Sequence, residues 1–140
     1  MSRIFWDTNL FIYLLEGTGE PFQWAQNILV RMSQRRDTLL TSALTLGELH
    51  VKPVSTHPDA TDRYERFFNS SGVQIVSFGR EAARAYARIR QDRSIRPPDA
   101  IQLACAAAAE TNLFVTNDAR LSRKTVAGVD FIVPLNHVFL

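Results

Sequence analysis

Residues 5–13 read FWDTNLFIY, and the aspartate in the middle decides how the rest is read. Ile4, Phe5 and Trp6 form a short apolar run of the kind a buried strand shows. Leu10 to Leu15 form an apolar run suited to a helix. Asp7, Thr8 and Asn9 separate them. A carboxylate at the junction of a buried strand and a buried helix is either a helix cap or part of a site.

Working outward, the chain alternates strand and helix patterns. Short apolar strands are expected at Arg3–Trp6, Thr38–Thr41, Val73–Phe78, Leu113–Thr116 and Phe131–Val133. Helices are expected at Leu10–Glu16, Pro21–Arg36, Ala43–Val51, Asp59–Asn69, Arg80–Asp92, Asp99–Glu110 and, briefly, Asp118–Lys124. Continuously apolar strands separated by helices predict a parallel sheet covered on both faces. The expected fold is α/β: a three-layer α/β/α sandwich around a mainly parallel sheet of about five strands, with residues 1–140 as a single domain. Proline-containing joints are expected around Val54–Pro58 and Ser94–Pro98.

Composition narrows the options. The chain has 46% hydrophobic and 21% charged residues, a globular balance. No run approaches the roughly 20 apolar residues of a membrane helix, and no signal peptide is visible. Cys105 is the only cysteine. It excludes an intramolecular disulfide and fits a cytoplasmic location. Within LACAAAAE it is expected to be a small buried residue. Net charge is +2, yet 14 of 16 cations are arginine, the side chain suited to bidentate contact with phosphate.

Four carboxylates stand out. Asp7 follows the first strand, and Asp118 follows the fourth by one residue. Glu48 lies in the helix after the second strand, among Leu44, Leu46, Leu49 and Val51. Asp99 opens a nearly all-apolar helix. Singly, each aspartate reads as a cap near a helix start and Glu48 as a solvated residue. Jointly, ligands of such sheets gather beyond the carboxyl ends of the strands, and Asp7 and Asp118 meet there if the first and fourth strands are neighbours. Clustered carboxylates repel and raise one another's pKa values, a conflict that a divalent cation removes. Oxygen-only ligands suit Mg²⁺ or Mn²⁺.

DTN at Asp7–Asn9, LTLGEL at Leu44–Leu49, PDAIQLA at Pro98–Ala104 and TNDARL at Thr116–Leu121 resemble the four motifs of PIN-domain nucleases, in order and over nearly the whole chain. Length and motif order are similar to the VapC toxins of toxin–antitoxin pairs. The resemblance implies a PIN-like sandwich and metal-dependent endoribonuclease activity leaving 5′-phosphate and 3′-hydroxyl ends. It implies a Mg²⁺ or Mn²⁺ cofactor, an RNA substrate, a cognate inhibitory antitoxin and a homodimer. By position, Asp7, Glu48, Asp99 and Asp118 match the metal-binding acidic residues. Asn9, Thr116 and Asn117 match the polar residues that support them.

With the metal carrying the chemistry, His50, His57 and His137 are not required. Arg93, Arg96, Arg120, Arg123 and Lys124 flank motif aspartates and are the candidate RNA contacts. Arg80, Arg84 and Arg88, at i, i+4 spacing, read as a solvated face. Trp6, Phe11 and Phe114 are expected in the core. Trp24, Tyr64, Phe67 and Phe68 are expected to pack the core or, failing that, to form a partner surface. One rival is a phosphotransferase with Asp7 as nucleophile, but position 9 is Asn9 where that chemistry wants a second aspartate. The other is a non-catalytic PIN-like module that binds RNA or protein.

Overall fold

The structure is a computed structural model that describes residues 1–56 and 58–140, with side chains described outside 52–60. His57 and the centre of the expected Val54–Pro58 joint therefore lie outside the described residues.

Five strands form one sheet: β1 (Arg3–Trp6), β2 (Thr38–Ser42), β3 (Val73–Val76), β4 (Thr111–Thr116) and β5 (Val129–Pro134). All paired strands are parallel, in the order β3-β2-β1-β4-β5. Among the described residues, six helices cover the faces: α1 (Thr8–Glu16), α2 (Glu20–Arg35), α3 (Ala43–Thr56), α4 (Pro58–Phe68), α5 (Arg80–Ile89) and α6 (Pro97–Ala108).

Strand periodicity divides the core. Ile4 and Trp6 point to one face, where they join Leu10 and Phe11 of α1, Ile28 and Met32 of α2, and Tyr64 and Phe68 of α4. Phe5 points to the other face, stacks on Phe114 with ring centroids 5.2 Å apart, and joins Ala82, Ala85 and Ile89 of α5 and Leu103 and Ala104 of α6. The expected core residues Trp6, Phe11 and Phe114 are fully buried. Tyr64 and Phe68 are core as well, while Trp24 is 36% exposed. Cys105 is buried in α6, and burial pushes its thiol up to about 11, which suits packing rather than reactivity.

Some boundaries differ from expectation for identifiable reasons. Helix α3 runs on to Thr56 and so passes Pro53, where the sequence suggested a stop. Helix α5 stops at Ile89, with the Arg90 amide closing on Tyr86. The brief helix expected at Asp118–Lys124 is only a 3₁₀ turn over Leu121–Arg123. The C-terminal segment folds back on α2, where the Arg31 guanidinium donates to the Leu140 carbonyl.

The strand order places the site. The chain leaves β1 toward β2 and β3 on one side, then returns to place β4 and β5 on the other. Ile4, Phe5 and Trp6 of β1 pair in register with Leu113, Phe114 and Val115 of β4. The segments following β1 and β4 thus diverge at the switch point of the sheet, where a crevice opens.

A close approach holds β5 in place. Gly128 has φ +95°, and a Cβ there would lie 2.8 Å from the Ala107 carbonyl oxygen. Gly128→Ala should cost about 2–3 kcal/mol, combining backbone strain with a clash against α6. Urea unfolding measures this, and a loss below about 0.5 kcal/mol would contradict the packing described.

Candidate metal centre at the sheet switch point

Asp7, Glu48, Asp99 and Asp118 come from four different segments and line one cleft of about 700 Å³. Thr8, Asn9, Arg96, Gln102 and Asn117 share its walls.

Asp7 sits directly beyond β1, its amide bonded to the Val115 carbonyl of β4 at 3.1 Å. One carboxylate oxygen caps α1 by accepting from the Thr8 amide at 2.7 Å. The other accepts from the Thr116 hydroxyl at 3.1 Å. The helix-cap reading of Asp7 is therefore correct. Burial pushes Asp7 up to about 6, against the pull of those two hydrogen bonds, and the charges of Asp99 and Glu48 push the same way.

The remaining carboxylates are held by different means. Asp99 lies in the first turn of α6 and is also raised, chiefly by burial. Arg96 opposes that shift from 3.6 Å. Asp118 is lowered, because Arg120 donates to it through the backbone amide at 2.9 Å and through the guanidinium at 3.1 and 3.3 Å. Glu48 accepts from the Thr8 hydroxyl at 2.7 Å.

Among the described residues, no three of these acids close around a common point as a finished ion cage. Asp118 faces Arg120 and Asp99 faces Arg96. The donor chemistry nevertheless suits a hard divalent cation: all four are carboxylates, and the most buried one is held above its ordinary pKa by its surroundings. Such an ion would compete with Arg120 for Asp118.

The supporting polar residues behave differently from one another. Thr116, fully buried, bridges two acids by donating to Asp7 and accepting from the Asp118 amide at 3.0 Å. Asn9 and Asn117 line the cleft but pair with each other at 3.1 Å, and Asn117 also donates to the Tyr13 hydroxyl. Of the five candidate RNA-contacting cations, Arg96 lines the main cleft. Arg120, Arg123 and Lys124 line an adjoining hollow with Asp99 and Asp118. Arg93 is exposed and lines neither. His50 binds the Leu46 carbonyl through Nδ1 and packs against Tyr64, away from the cleft.

Sequence reasoning passed over the network beneath the acids. Gln102 is 2% exposed and lies under the cleft. Its amide nitrogen donates to Thr8 at 3.0 Å and to Thr45 at 2.9 Å, while its oxygen accepts from Ser42 at 2.6 Å. With the Thr8 proton given to Glu48, the Thr8 oxygen accepts from Gln102 and lies 3.1 Å from the Thr45 hydroxyl, a second possible donor. The one available signal was a glutamine three residues after Asp99 in an otherwise apolar helix.

Two outcomes follow from these environments. In metal-free protein at pH 7.5, Asp7→Asn should raise stability by about 1 kcal/mol, since a buried charge is removed. The gap from wild type should be absent below about pH 4 and open as pH rises to about 6. In that window the unfolded chain has released a proton that folded Asp7 still holds, so wild-type stability falls as pH rises. Denaturation over this range with EDTA checks the sign, and a destabilised variant would contradict it. Gln102→Leu should cost about 2 kcal/mol by leaving the Ser42 hydroxyl without its acceptor and removing one donor each from Thr8 and Thr45, and an unchanged urea midpoint would show the network to be dispensable.

Comparison with known proteins agrees with this architecture. A family model for the PIN domain matches residues 4–126. No curated protein gives a significant match. Solved structures with this fold include VapBC2 from Rickettsia felis bound to a promoter DNA fragment, with a TM-score of 0.74 and 18% identity over 94% of this chain and 98% of that one. FitAcB from Neisseria gonorrhoeae aligns with a TM-score of 0.71 and 20% identity over 96% and 99% of the two chains. VapBC-5 from Mycobacterium tuberculosis, of the VapBC family of toxin-antitoxin systems, aligns with a TM-score of 0.62 and 21% identity over 96% and 99%. At these identities the structures establish the fold, and with the match covering residues 4–126, the chain belongs to the PIN domain family.

Proposed function

We propose that this chain is a Mg²⁺- or Mn²⁺-dependent endoribonuclease, the toxin of a cytoplasmic toxin–antitoxin pair, restrained by a cognate antitoxin and assembled as a homodimer. The nuclease reading rests on one observation: four acids from four segments line one cleft around a carboxylate that burial disfavours as a lone charge. Family membership supports it, as does the likeness to VapBC-5 of a toxin-antitoxin family.

Asp7, Asp99 and Asp118 would hold the cation, with Glu48 as a further ligand or as the group that holds the attacking water. The cation, when bound, supplies a water of lowered pKa and offsets charge on the scissile phosphate. The protein's own groups orient and guide. Thr8 and Thr116 fix the carboxylates of Glu48 and Asp7. Arg96 and Arg120, both largely exposed, carry positive charge at the cleft where an RNA phosphate would otherwise meet only acids.

The alternative, a PIN-like module that binds RNA or protein without cutting, draws on the arginines already paired with Asp99 and Asp118. One experiment separates the two. Purified protein with Mn²⁺ should cleave RNA endonucleolytically, EDTA should stop it, and Asp7→Asn should lower cleavage by about 10³-fold or more while remaining folded. Metal-independent cleavage, or near wild-type activity of metal-saturated Asp7→Asn, would refute the assignment.

A further inference from the structure

A second cavity, of about 330 Å³, lies between the end of α5 and residues 123–127. Its floor is aliphatic, built from the buried side chains Ile89 at the end of α5, Ile95 in the following loop and Val126 before β5. Its rim carries Arg88, Arg123 and Lys124. Asp92 also lines the cavity, and its carboxylate is engaged: Lys124 donates to it at 2.8 Å, and the Ser94 hydroxyl at 2.6 Å. Among the described residues, Arg88 and Arg123 have no ion-pair partner. Two unpaired guanidinium groups thus converge, from α5 and from the turn after β4, on one apolar hollow.

The cavity reaches the acids through one intervening hollow, with which it shares two wall residues. Arg123 and Lys124 also line the hollow of about 300 Å³ that reaches Asp99 and Asp118. A chain lying with one phosphate at the acids would run past Arg120 and Arg123 toward this cavity.

We propose that the cavity is a subsite for one unpaired nucleotide flanking the scissile phosphate, its base seated on Ile89, Ile95 and Val126 and its phosphate held by Arg88 and Arg123. The proposal rests on the nuclease reading above and adds the place where a nucleotide next to the scissile phosphate would sit. An aliphatic floor with a cationic rim suits a nucleobase, which has apolar faces and carries an anion on its backbone. A base within a duplex cannot enter such a hollow, because its faces are stacked and its edges paired. Arg88 is exposed, as a solvated face requires, and it also lines the cavity.

The test compares wild type with Arg88→Ala and with Ala127→Phe, which obstructs the cavity from an exposed position on its wall. Arg84→Ala, on α5 but not lining the cavity, is the control. Thermal melts establish that all three are folded. With Mn²⁺ and a labelled single-stranded RNA, both cavity variants should raise KM about tenfold, the size of one lost stacking or phosphate contact, with the smaller effect on kcat. In EDTA, fluorescence anisotropy with the same RNA should show a matching rise in Kd, and Arg84→Ala should resemble wild type. Wild-type cleavage with unchanged KM and Kd in both variants overturns the subsite and leaves the nuclease standing. RNA binding weakened by both variants in a protein that never cleaves supports the subsite and removes the nuclease. No RNA binding by wild type overturns both.

Discussion

The burial of the Asp7 carboxylate at the end of the central strand is the constraint from which the rest of the site follows. β1 is flanked by β2 and β4, so whatever follows it emerges in the middle of the molecule. A charge placed there needs compensation. Two hydrogen bonds and a helix N-terminus supply part of it, and still burial and the neighbouring acids hold the group at about 6. A fold optimised for stability alone would place an asparagine or serine at this cap. That a carboxylate stands there, with three more in the same cleft, points to a use for concentrated negative charge.

Charge balance around the cleft follows the same logic. Arg120 grips Asp118 and Arg96 leans toward Asp99, so the two more exposed acids are partly neutralised by neighbours two or three residues away in sequence. Asp7 and Glu48 have no such arginine and are instead served by hydroxyls and an amide. The cleft therefore divides into an inner pair held by neutral donors and an outer pair held by exposed cations. If the cleft binds a cation as proposed, the ion would meet neutral donors at the inner pair and would exchange with arginine at the outer pair. The displaced guanidinium groups would remain beside the cleft, where an RNA backbone would pass.

Much of this was legible in the sequence because local pattern and global position coincide. Short apolar strands alternating with helices specified a parallel sheet, and the carboxylates fell where ligands of such sheets gather. What escaped depended on tertiary placement. Gln102 reads as one polar residue in an apolar helix, and only the packing of α6 against β2 shows that it ties Ser42, Thr8 and Thr45 together. Arg88 reads as one of three arginines on a regular face. Its place in a cavity is set by the loop carrying Ile95 and by the turn after β4, which spacing along α5 cannot register. The passage of α3 through Pro53 and the shortness of the turn after Asp118 escaped because helix boundaries yield to tertiary packing.

The central claim is that distant acids serve one cation. Anomalous diffraction from crystals grown with Mn²⁺ tests it most directly. The account requires a peak in the cleft, with oxygens of Asp7 and Asp99 at about 2.1–2.3 Å and Asp118 turned from Arg120 toward the ion. A fully occupied ion bound elsewhere, or an empty cleft at millimolar Mn²⁺ with Asp118 still paired to Arg120, would contradict it.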